Sequence, residues 1–148
     1  MENNKVLATQ FTFLKRVMAL NASDVSQKDS LISSPSSGNS VNWIVGHMIA
    51  VRDAILQALG AEKMASEEME KLYNRGTPNV TSENAMDINK LIEMYNTGSD
   101  EIIKRLTENE LTDKEAIETI AILSFHEAYH TGQIGLFRRL MGKEPKIK

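Results

Sequence analysis

Cysteine is absent from the 148-residue chain. That excludes disulfides, thiolate metal ligands and a cysteine nucleophile, and it fits a cytoplasmic protein. Proline and glycine are scarce, at three and eight residues, and alternating β-branched runs are few. Both scarcities point to an all-α fold. No basic stripe appears, and the net charge is −3 with a pI near 5.6, so no nucleic-acid partner is expected. The longest apolar runs, such as residues 119–125, are too short to span a bilayer, so no membrane partner is expected either. Met1-Glu2-Asn3-Asn4-Lys5 leads straight into a helical pattern, without the basic and apolar segments of a secretory signal. Length and a hydrophobic content of 41% suit a single domain, residues 1–148, with one core.

What is present is a set of helical patterns. Leu7, Phe11, Leu14 and Met18 predict a first helix over Asn3–Leu20, with Phe13 and Val17 widening its stripe. Residues 25–39 hold six serines, Pro35 and Gly38, and read as a connection with one helical turn near Gln27–Ile32. Ser40 is a good N-cap for a second helix that closes near Gly60. Its stripe is Ile44, His47, Val51, Ala54, Ile55 and Ala58. A short helix fits Ser66–Tyr73, and Asn74–Asn79 is a breaker. A third long helix is expected from Thr81 or Ser82 to Leu106, with Gly98 and Ser99 as a bend point. The last is expected from Thr112, with Glu115 completing a capping box, to Met141. At roughly 30 residues it would be about 45 Å long. Its stripe is Thr119, Ile122, Leu123, His126, His130, Gln133, Ile134, Phe137 and Met141. The tail, residues 143–148, reads as frayed. Four apolar-faced helices imply a four-helix bundle, whose order periodicity leaves open.

The chain has only three histidines. His126 and His130 stand four apart, on one helical face, a recurrent spacing for zinc. His47 lies within the stripe of the second helix. Each alone reads as a satisfied core residue; together they supply the three protein ligands of an open metal site. Neutral imidazoles suit zinc, nickel, iron or copper, and do not suit calcium or magnesium. A carboxylate such as Glu93 or Asp100 would close the site as a fourth ligand. Glu127 completes His-Glu-x-x-His, the zincin protease pattern, but no histidine follows His130 to serve as a third ligand. Glu127 is therefore a candidate catalytic base, a partner behind the ligands, or a surface acid. Trp43 and Tyr129 are candidates to wall a cofactor pocket, and Gln133 to hydrogen-bond a ligand there. The pair Arg52-Asp53 reads as surface.

Two segments carry a family resemblance. Ser40-Val41-Asn42-Trp43-Ile44-Val45-Gly46-His47-Met48-Ile49 resembles the Trp-x-x-Gly-His helix of the DinB-like superfamily of metal-dependent bundle proteins. The run from His126 to Arg139 resembles its closing His-x-x-x-His-x-Gly-Gln-Ile block. The resemblance implies a four-helix bundle in up-down-down-up order with long connections. It implies zinc or nickel on His47, His126 and His130, and a homodimer. It also implies a thiol-dependent transferase that uses a low-molecular-weight thiol on a small-molecule substrate. Activation of water instead would make a small-molecule hydrolase. A non-catalytic module using the metal for stability or ligand binding is the main alternative, and a zincin-type metallohydrolase the lesser one.

Overall fold

The computed structural model describes residues 2–33 and 38–147. Of the serine-rich connection, Ser34, Pro35, Ser36 and Ser37 lie outside the described residues. The described residues form six helices and no strand: α1 (Glu2–Ala22), α2 (Gln27–Ser30), α3 (Val41–Ala58), α4 (Glu67–Tyr73), α5 (Ile88–Glu108) and α6 (Lys114–Leu140). None is long and apolar enough to cross a membrane.

Local chemistry sets these boundaries. Ser40 and Ser66 cap α3 and α4 by accepting from the backbone N–H groups of Trp43 and Met69. Ser26 and Asp29 make a reciprocal capping box at α2. Two expected starts are corrected. α5 begins at Ile88, after the N-cap Asp87, and not at Thr81 or Ser82. The Asn84 side chain turns the backbone at Thr81, while Tyr73 and Gln27 side chains accept from the N–H groups of Met86 and Ile88. These side-chain partners replace a first helical turn. α6 is capped by Asp113, whose carboxylate accepts from Glu115 N–H, and not by Thr112. Its 27 residues make it about 40 Å long.

Four long helices carry the core. α1 packs on α5 and α6, and α3 packs on the same two. Along α1 and α5 the contacts run in opposite register: Asn4 donates to the carbonyls of Leu106 and Asn109, and Lys15 pairs with Asp100. Along α3 and α5 they run in the same register, from Asn42 with Met86, through Arg52 with Ser99, to Leu59 with Arg105. α1 and α6 also keep one register, with Gln10 against Ser124 and Asn21 against Thr131.

The apolar core has two parts. One gathers Met18, Ile44, Met48, Tyr73, Leu91 and Ile134; the other gathers Phe11, Leu14, Ile55, Ile102, Leu106 and Ile120. In register between them lies a buried polar knot. Arg52 Nε and Nη2 donate to the two oxygens of Glu127 at 2.6 and 2.8 Å. Arg52 Nη1 donates to the Tyr95 carbonyl and the Ser99 hydroxyl, and its guanidinium lies 3.6 Å above the Tyr95 ring. The Tyr95 hydroxyl donates to Glu127 Oε2 at 3.2 Å. Burial, the largest single influence, lowers the Arg52 pKa, but the charge and hydrogen bonds of Glu127 together with the Tyr95 phenol outweigh it, and the pKa is raised. Burial and the same charge hold the Tyr95 phenol well above its usual range. Gly98 and Ser99, expected to bend the helix, lie inside a continuous α5. A Cβ at Gly98 would sit 3.4 Å from Arg52 Nη1 and 2.9 Å from Met64 Sδ, so glycine there makes room for both.

Several expectations about burial are overturned. Arg52 and Asp53 are 1% and 3% exposed, not surface residues; Asp53 accepts from the N–H groups of Met64 and Ala65. Phe13 and Ile122 are 62% and 67% exposed, and Ala54 is exposed too. α6 is turned so that Ile120, Ser124, Glu127, Thr131, Ile134 and Arg138 face inward. The tail is tied down as far as Glu144, whose carbonyl accepts from Arg138, while Lys143 pairs with Asp29.

The knot makes a prediction. Arg52→Met leaves the Glu127 carboxylate unpaired in the core, at a cost of about 3–5 kcal/mol. Arg52→Met combined with Glu127→Leu regains most of that stability. Urea unfolding of the two variants checks this; equal losses in both would refute it.

Candidate metal centre

α3 and α6 bring the three histidines together. His47 follows Gly46 on α3, one turn beyond Trp43. A Cβ on Gly46 would lie 2.3 Å from the Tyr73 ring, so only glycine lets α4 dock this closely. That docking places the Tyr73 carbonyl 2.9 Å from His47 Nδ1. A carbonyl can only accept, so Nδ1 carries the proton and Nε2 keeps its lone pair. Tyr73 is itself fixed: its hydroxyl donates to Asn42 Oδ1 and accepts from Met86 N–H. Trp43 stacks on His47, with ring centres 4.7 Å apart and planes at 15°. Its indole N–H donates to the Thr77 hydroxyl.

On α6, His126 Nε2 and His130 Nε2 face each other at 3.0 Å. His130 Nδ1 donates to Gln133 Oε1 at 2.7 Å, and the Gln133 amide donates on to the Tyr129 hydroxyl. His130 is thus held in the same tautomer as His47. His126 Nδ1 is buried and has no partner among the described residues. One ligand atom from each of the three rings lies within 4.8 Å of the other two. Metal–nitrogen bonds of 2.0–2.1 Å at a tetrahedral angle separate two nitrogens by about 3.3 Å. The donor set suits a transition metal in type, and His47 and His130 are held in the matching tautomer. No carboxylate joins the cluster among the described residues. Glu93 is exposed, and Asp100 pairs with Lys15 at the far side of α5.

The electrostatics keep the rings neutral. Burial lowers the His47 pKa, against the Tyr73 hydrogen bond and with help from the Arg75 charge. Burial and His47 lower that of His126. Burial, aided by both other histidines and opposed by Gln133 and Glu127, brings His130 down to about 4. Neutral imidazole is the form that binds metal.

The rings open into a pocket of about 480 Å³, within the range of small-molecule sites. Trp43, Tyr129 and Gln133, the residues singled out as pocket candidates, all line it, with Ile44, Leu136, Phe137 and Arg75. Glu127 does not line it. It is fully buried, which overturns its reading as a surface acid, and both its oxygens are engaged by Arg52 and Tyr95. Sequence reasoning missed the Tyr73 carbonyl, Thr77 and Arg75. The last two sit in a stretch that reads only as a helix breaker, and a backbone acceptor leaves no trace in residue type. No protein-family model matches the chain, and no curated protein matches it.

Metal uptake should follow proton competition. Equilibrium dialysis against zinc or nickel is expected to give one ion per chain above pH 6.5, with affinity falling as pH drops toward 4. His47→Ala, His126→Ala and His130→Ala should each lose stoichiometric uptake. Without metal, the lowered histidine pKa values mean that the unfolded chain binds more protons below pH about 6.5. Stability from these groups is therefore full above that pH and declines as pH falls through about 4 for His130. A wild-type protein that takes up no metal at any pH would refute the centre.

Proposed function

We propose that the chain is a DinB-like four-helix bundle that holds zinc or nickel on His47, His126 and His130 and acts as a metal-dependent transferase on a small molecule. The observation that carries this reading is the trio of neutral imidazoles on one pocket wall, two of them locked by hydrogen bonds in the metal-binding tautomer. The register of the helix contacts supports the order. α1 opposes α5, α5 runs with α3, and α1 runs with α6, which together make up-down-down-up. The two segments quoted from the sequence, around His47 and from His126 onward, supply the histidines at the matching places.

Three protein donors leave an open position, where a structural zinc site would be closed by a fourth. When bound, the metal would lower the pKa of a small thiol, or of water, to give a nucleophile at neutral pH. The chain's own residues do the rest. Trp43 holds the His47 ring flat against it and shields one side of the pocket. Gln133 orients His130 and links it to the Tyr129 hydroxyl at the pocket edge. Glu127, clamped by Arg52 and Tyr95, acts as a positioning residue behind the α6 ligands and not as the base.

A dimer forms part of the same proposal. Ile122, Phe125, Tyr129, Leu136 and Leu140 make an exposed apolar line along α6, and Phe13 on α1 is exposed as well. A second copy is the partner we infer for it.

Two measurements test the transferase and the dimer. A thiol-conjugation assay with a panel of low-molecular-weight thiols should show metal-dependent activity that His130→Ala abolishes; activity retained in that variant would end the transferase mechanism. Light scattering should give twice the 16.5 kDa chain mass for wild type and a monomer for Phe125→Glu. A wild-type monomer at micromolar concentration would remove the dimer.

A further inference from the structure

The pocket is lopsided in charge. Apart from the three imidazoles, Arg75 is the single ionisable side chain with a full charge among the described residues that line it. No aspartate or glutamate faces it there, although the chain as a whole is acidic. The nearest buried acid, Glu127, is already neutralised by Arg52. No carboxylate pairs with Arg75 among the described residues.

The position of Arg75 is built from the site itself. On one side, Tyr73 gives its carbonyl to His47; on the other, Thr77 gives its hydroxyl oxygen to the Trp43 indole. The Thr77 N–H and hydroxyl both return to the Asn74 carbonyl, and Gly76 makes the turn at φ +87°. The three-residue turn is thus pinned at both ends to a metal ligand and to the ring stacked on it. A guanidinium among the lining of an acid-free pocket is suited to pair with a planar anion.

We propose that Arg75 is a specificity-determining residue that receives a carboxylate on the small molecule seated in the pocket. The inference rests on the metal reading above and deepens it. The ligand class is an anionic thiol: sulfur toward the histidines, a short stem along Trp43 and Phe137, and a carboxylate at Arg75. Because Arg75 is exposed, the pairing should be worth about tenfold in affinity and should weaken with salt.

The test uses the full chain loaded with cobalt(II) and two probes, 3-mercaptopropionate and 2-mercaptoethanol, each titrated by the sulfur-to-cobalt absorption band. Wild type should bind the carboxylate probe about tenfold more tightly than the neutral one at low salt. Arg75→Gln should bring the ratio close to one, and Arg75→Lys should keep part of it. Cobalt uptake by dialysis should be the same in all three, which shows that the fold and the histidines are intact. Loaded wild type that binds the probes equally, or Arg75→Gln that keeps the wild-type ratio, overturns the assignment to Arg75 and leaves the metal centre standing. Wild type that takes up no cobalt overturns both.

Discussion

The Arg52–Glu127 pair fixes how α6 is turned about its own axis. Glu127 and His126 are consecutive, so they point about 100° apart around the helix. With Glu127 held bidentate in the core, His126 and His130 can only face the pocket. Rotating α6 by one residue would pull a carboxylate off its guanidinium, a loss of several kcal/mol. An apolar pair of similar volume could be as stable, but it would not specify the rotation so sharply. The geometry of two proposed ligands is therefore set from behind, by groups that never meet the substrate.

α3 is fixed in a similar way from another direction. Gly46 admits the Tyr73 ring, and Tyr73 supplies the carbonyl that chooses the His47 tautomer. The same ring reaches Asn42 and Met86 through its hydroxyl. Arg138 repeats the theme at the other end of α6. It is buried and donates to the carbonyls of Asn21 and Ser23 and to Asp24, where it closes the last turn of α1 and opposes its dipole. Each long helix is thus held by a polar contact that tolerates one orientation.

Much of this was legible in the sequence, and what was not has a common cause. The helical class, the Ser40 and Ser66 caps, the three histidines and the pocket residues Trp43, Tyr129 and Gln133 follow from spacing and residue type. The buried face of α6 did not. It contains Ser124, Glu127, Thr131 and Arg138, while Ile122 and Phe125 lie outside, so apolar periodicity pointed about a third of a turn away. Arg52 failed for the same reason: a charged side chain reads as surface until its partner, 75 positions later, is known to face it. The start of α5 was misplaced because side chains from α2 and α4 took its first N–H groups. Those are tertiary facts, and local propensity cannot carry them. Of the three readings open for Glu127, its burial removes the surface acid, since neighbours on a helix face different surroundings.

α4 has only seven residues, too few to persist as a helix by itself. Its place depends on the hollow at Gly46, on the Tyr73 hydroxyl and on the Asp53 carboxylate that holds the strand of backbone before it. An undocked α4 would free His47 to change tautomer and would carry Arg75 away from the pocket. Any ligand that needs His47 in its docked tautomer therefore adds its binding free energy to the closed position of α4. Occupancy of the centre and backbone hydrogen exchange across residues 67–77 become two readings of one equilibrium.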